Sequence, residues 1–261
     1  MIMAVAVLLV ISPRHRAFYL GSGRPDRART EEAPRTSVVT TALRPITAVL
    51  QLPGPDPAGR IRIPLSDPMP SRLPVEGVPP GWQLKEFQGH GVVELVRDEG
   101  QPALRLRSDH ASFALYRDAV IDLDRTPRLA WSWKVKRLPR EGDVRGRATD
   151  DQAAQVYVIF PRWPAPLRHS DVIGYVWDSH APVATRVTSP KSENVRVIVV
   201  ESGAQSTGTW RREVRDVAED YAAAFGRRAP RVGKIALMID SNDTGDEAEA
   251  LFGELAFLPP R

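Results

Sequence analysis

The 261-residue chain carries 36 basic and 32 acidic side chains, 24 prolines and no cysteine. Without cysteine, disulfides, thiolate nucleophiles, zinc–thiolate sites and a lipidated N-terminal cysteine are excluded. Residues 13–60 hold eight arginines against four acids, which is the whole net charge of +4, so the basic isoelectric point belongs to that stretch and does not indicate a nucleic-acid-binding fold.

Met1 to Ile11 is an unbroken apolar run, followed by Pro13, Arg14 and Arg16. As a helix it would be about 16 Å long, half of a ~30 Å hydrocarbon core. Residues 1–12 therefore read as a possible signal or anchor remnant, with a misassigned start as the alternative, since no basic n-region and no small-residue cleavage pattern accompany the run. An exported protein, periplasmic or membrane-anchored, is expected, with a cytoplasmic one the alternative. Any membrane contact would run through this segment. Residues 13–60, rich in arginine, proline and small polar side chains, read as a disordered linker that cannot offset the entropy of ordering. Residues 61–261 are left as one domain, whose globular part of about 180 residues is large enough to bury roughly 70% of its unfolded surface.

Arg60 to Leu65 alternates as an edge strand, with Pro64 tolerable there. Pro80–Gly81 marks a turn. Ten strands then follow, near Trp82–Phe87, Val92–Arg97, Ala103–Ser108, Phe113–Ile121, Arg128–Val135, Gln155–Phe160, Val172–Trp177, Val195–Glu201, Lys234–Asp240 and Leu251–Phe257. In the fifth, Leu129, Trp131, Trp133 and Val135 share one face, so the tryptophans read as core. The sixth is apolar on both faces except at Tyr157, which places it centrally in its sheet. Short strands separated by Gly, Pro, Asn and Asp predict a mainly β fold, an antiparallel β-sandwich of jelly-roll type. One segment departs from this: Val214, Val217, Ala218, Tyr221 and Phe225 recur at helical spacing, predicting a helix over 211–225 that stops at Gly226, with Arg215 and Glu219 paired one turn apart.

The ordered blocks LAWSWKVKRLPREGD, DDQAAQVYVIFP, IGYVWDS, VIVVESG, TGTWRREVRDVAEDYAAAFG and IALMIDSNDTGDEAEALFGELAF resemble the bacterial family catalogued as domain of unknown function 3047, over about residues 79–258. The resemblance implies a jelly-roll-like sandwich similar to carbohydrate-binding modules, and brings no activity, substrate or catalytic residue with it.

Candidate site residues follow from the motifs. Trp210 sits in a Gly/Thr-flanked loop where no periodicity demands burial, and Trp177 lies near a strand end; both are candidates for stacking against a ligand. Asp150–Asp151 ends a charged loop just before a strand. If the strand has already begun, the two carboxyls point to opposite faces; Asp151 is taken as a ligand-binding candidate, with pairing to Arg145 or Arg147 as the alternative. Arg215 and Asp220 would complete a groove with Trp210, or else Arg215 anchors the helix through Asp151 or Asp220. Asp240, Asn242 and Asp243 supply dense oxygen donors in one loop. No cofactor is expected; calcium is the metal that loop would suit, although EF-hand spacing is absent and an Asn/Asp turn is the alternative. No G-x-S-x-G elbow, Walker loop, Rossmann fingerprint or H-x-x-x-H spacing occurs. A non-catalytic module that binds carbohydrate or another polar surface ligand is therefore the leading expectation. The alternatives are a glycan hydrolase or lyase using Asp143, Asp151, Asp216 or Asp220, and a structural domain of an envelope assembly.

Overall fold

The computed structural model describes residues 52–162 and 170–261. The apolar run at 1–12, and the linker as far as residue 51, lie outside them. The described chain forms β1 (Ile61–Ile63), β2 (Val75–Glu76), β3 (Gln83–Gln88), β4 (Val92–Asp98), β5 (Gln101–Asp109), β6 (Ser112–Ile121), β7 (Arg128–Arg137), β8 (Ala154–Phe160) and β9 (Asp171–Asp178). It continues through β10 (Arg186–Thr188), β11 (Val195–Ser202), β12 (Arg211–Asp216), α1 (Val217–Phe225), β13 (Val232–Asp240) and β14 (Glu247–Leu258).

Two seven-stranded sheets stack as a jelly-roll-like sandwich. Sheet A runs β12-β7-β14-β5-β4-β2, with β1 added to β14; sheet B runs β10-β11-β9-β8-β13-β6-β3. Every pairing is antiparallel except that of β11 with β9, which is parallel. Between the sheets, Trp131 stacks on Tyr175 with ring centres 5.2 Å apart, and Trp133 lies 6.1 Å from Trp177. The expected burial of Trp131 and Trp133 is met, both being at most 1% exposed. Each strand read from the sequence is present within a few residues, and β8 is central, between β9 and β13.

The segment 211–225 differs from expectation. Arg211–Asp216 is a strand along the edge of β7, pairing Arg211 with Trp133 and Arg215 with Leu129. Only Val217–Phe225 is helical. Asp216 is its N-cap, with φ −80° and ψ 101°, and accepts the Glu219 N–H at 3.0 Å. That extended residue ends the strand and starts the helix, so the apolar spacing ran on across a boundary set by a capping aspartate. Arg215 consequently pairs with Asp220 rather than Glu219. The helix stops at Gly226, φ 67°, as its composition indicated. Residues 52–60, assigned to the linker by composition, belong to the ordered chain. Asp56 accepts the Ala58 and Arg60 N–H groups, and Leu52 packs on the core.

Candidate functional site

Sheet B is partly covered on its outer side as well as packed on its inner one, with Phe87, Tyr157 and Met238 left partly exposed. Val144 and Ala181, from the loops flanking β8 and β9, pack on outward residues of β6, β8, β9, β11 and β13. That second cover explains why β8 reads as apolar on both faces. It also leaves polar side chains aligned on the outer face. One row across the strands is Tyr116, Ala236, Tyr157 and Gly174, and the next is Ala114, Met238, Gln155 and Val176. Only an alanine methyl separates the two tyrosines in the first row. Tyr157 lies across β9 where a Cβ on Gly174 would meet its ring at 2.5 Å, so glycine is what lets the ring lie down.

The two hydroxyls differ. Tyr157 donates to Gln155 Oε1 at 2.6 Å, and Gln155 donates to the Gln152 carbonyl at 3.3 Å. The Tyr116 hydroxyl is buried, the residue being 7% exposed, and has no hydrogen-bond partner. A buried unpaired hydroxyl costs about 1–3 kcal/mol. Burial holds both phenols above their ordinary range, and for Tyr157 the neighbouring Asp150 and Asp240 add to the effect.

At one end of this face four aspartates meet one lysine. Strand β8 starts only at Ala154, so Asp150 and Asp151 both precede it and strand alternation does not separate them. Asp151 is fully buried and accepts Asp243 N–H at 3.1 Å, Thr244 N–H at 2.7 Å and Thr244 Oγ1–H at 2.6 Å. It thereby ties the 240–246 loop to the start of β8. Lys191, from the β10–β11 turn, forms an ion pair with Asp243 and comes within 3.7 Å of Asp150 Oδ2. Burial opposes its charge, but Asp240, Asp150 and Asp243 hold its pKa above the ordinary value. Burial pushes Asp150 up to about 6, with Lys191 opposing. It pushes Asp240 well above the carboxylate range, with Asp151 and Asp150 adding to the effect. Asp240 is 4% exposed, with Oδ1 unpartnered.

The candidate site residues singled out in the sequence fall in four places. Asp151, Asp240, Asn242 and Asp243 come together at this end of sheet B. Their oxygens are not gathered on one point: Asp243 pairs with Lys191 and accepts from Asn242 at 3.1 Å, while Asp246 turns away to Arg140. Among the described residues no group of three or more His, Cys, Asp or Glu side chains is arranged to hold a metal ion.

Arg215 and Asp220 meet elsewhere. Asp220 receives both Arg215 nitrogens (2.6 and 3.0 Å), Arg186 and the Tyr175 hydroxyl. Trp177 is core, its Nε1 donating to the Gly203 carbonyl at 3.0 Å. Trp210 lies on the far side of the sandwich, donating to Asp98 at 2.9 Å with Lys134 Nζ 5.4 Å from its ring centre. The predicted groove of Trp210, Arg215, Asp220, Asp151 and Trp177 is thus not assembled. Asp143 pairs with Arg145, and Asp216 caps α1. Sequence reasoning singled out none of Tyr116, Gln155 and Lys191, and took Tyr157 and Asp150 no further than a strand exception and the neighbour of Asp151. The one local signal was Tyr157 and Gln155 alternating within an otherwise apolar strand.

A family model described as "Protein of unknown function (DUF3047)" matches residues 80–256. No curated protein sequence matches the chain. Among solved structures it is similar to the endoglucanase cel12A from Rhodothermus marinus, with TM-score 0.41 and 11% identity, covering 71% of this chain and 99% of that one. It is also similar to the xyloglucanase domain of NopAA from Sinorhizobium fredii in complex with cellobiose, with TM-score 0.40 and 10% identity, covering 72% and 96%. A family 11 carbohydrate-binding module from Clostridium thermocellum, in complex with a mixed-linked tetrasaccharide, gives TM-score 0.36 and 9% identity, covering 69% and 89%.

Proposed function

This chain belongs to the DUF3047 family of proteins of unknown function, and we propose that it is a binding module whose ligand, a saccharide or similar polyhydroxylated ring, lies on the outer face of sheet B. The observation that carries this reading is the row Tyr116–Ala236–Tyr157, in which Tyr157 is partly exposed and the buried Tyr116 hydroxyl has no protein partner. A sugar ring has apolar C–H faces that pack on aromatic rings, and hydroxyls that need donors and acceptors at its rim. The neighbouring groups supply both: Gln155 donates and accepts, and Lys191 donates. Export to the cell envelope, suggested by the apolar start of the chain, is part of the same reading.

The test is a glycan array followed by titration of the best-bound neutral oligosaccharide. Tyr116→Phe removes a hydroxyl that has no protein partner, so the melting midpoint should hold or rise, while affinity falls about tenfold from the loss of one ligand hydrogen bond. No bound glycan, or unchanged affinity in Tyr116→Phe, would overturn the reading.

A hydrolytic alternative draws on one observation, that Asp150 is held at about 6 beside Asp240 and Asp243. A carboxyl at that value is matched to general acid–base work near neutrality. Release of reducing ends from the bound glycan, abolished in Asp150→Asn, would favour it over binding alone.

A further inference from the structure

The opposite side of the sandwich holds a depression of about 240 Å³ that the sheet B reading does not use. Its floor is the outer face of β12, β7 and β14, where Val214, Ala130 and Ala256 stand in one register row and Arg212 is paired with Ser132. Strand β14 slips register between Phe252 and Leu255, which brings Gly253 and Glu254 out of the ladder. A Cβ on Gly253 would lie 3.2 Å from the Trp210 ring and 2.4 Å from Ser132 Oγ, so the indole rests on bare backbone. Asp98 fixes the indole nitrogen at 2.9 Å, and Lys134 lies 5.4 Å from the ring centre. A ring held at its nitrogen and over its backbone is a fixed wall.

Charge around the depression is uneven. Arg60, Arg211 and Arg212 line it against one acid, Glu254. Arg60 is held by Asp56 and Arg211 by Glu201. Arg212 forms no ion pair with the described residues, which leaves one guanidinium fork beside an aromatic wall. The volume is below the 300–1,000 Å³ usual for drug-sized ligands, and suits a single ring.

We propose that this depression is a second ligand site, taking one uronic-acid unit of an acidic saccharide. The ring lies against Trp210, the carboxylate meets the Arg212 fork, and Glu254 accepts from a ring hydroxyl. Arg is the side chain suited to the carboxylate because its planar donors match the two oxygens. The site stands independently of the outer face of sheet B, and either can fail without the other.

The experiment is calorimetric titration of the full chain with a glucuronate-containing tetrasaccharide and with its carboxyl-reduced counterpart. The acidic form should bind at least tenfold more tightly, a preference that Arg212→Ala abolishes while the melting midpoint stays put, since Arg212 is exposed. Tyr116→Phe should leave it untouched. Equal affinity for the two forms, no heat with the acidic form, or an unaltered preference in Arg212→Ala would overturn the proposal. So would binding of an aromatic carboxylate such as p-hydroxybenzoate without binding of the saccharide.

Discussion

Glu213 shows how burial sets the behaviour of a single residue at the sandwich edge. It alternates with Arg211 and Arg215 on the side of β12 that faces the core, next to Glu201 of β11. Burial first, and the Glu201 carboxyl second, push it from 4.5 up to about 7. A carboxyl whose folded pKa is raised stabilises the fold while protonated, and that contribution is lost as pH rises through the folded value. The melting midpoint of the wild type should therefore fall relative to that of Glu213→Gln between about pH 4.5 and 7. Thermal melts of both proteins across that range check it; parallel curves would place the titration elsewhere.

Among the elements, β12 and α1 are joined to sheet B through Asp220. This carboxyl is 5% exposed and is shared by Arg215, Arg186 and the Tyr175 hydroxyl. Removing one partner of a buried ion pair typically costs 3–5 kcal/mol. Because Arg186 and Tyr175 remain, Arg215→Ala should cost roughly 2–3 kcal/mol, lowering the midpoint by about 4–12 °C. Adding Asp220→Asn removes the stranded charge and should restore part of the loss. A midpoint unchanged in Arg215→Ala would show that the pair does not hold the edge together. The strands were legible because alternation and β-branched or aromatic content are local properties, as in Leu129 to Val135. The 211–225 boundary was not, because only pairing of Arg211–Asp216 with β7 makes that stretch extended. That these aspartates meet one another and Lys191 was not legible for a related reason. Asp150, Lys191 and Asp240 come from three separate parts of the chain, and only sheet order brings them together. Trp177 and Trp210 look alike in sequence, yet one fills the core and the other forms a surface wall.

The whole molecule has two faces of different chemistry about one aromatic core. The outer face of sheet B carries tyrosines, glutamine and a buried aspartate under partial loop cover, and the outer face of sheet A carries an indole and arginines. A neutral saccharide is proposed to bind the first of these. Met238 stands between Gln155 and Ala114 in the row beside the two tyrosines, whereas Met69 is 45% exposed and lies outside both sheets. Methyl-labelled methionine therefore gives a reporter on the proposed face and a control away from it. On titration with the best-bound neutral oligosaccharide, the Met238 methyl resonance should shift in a saturable way while that of Met69 stays fixed. A bound glycan that leaves Met238 unmoved would place the binding surface away from the outer face of sheet B.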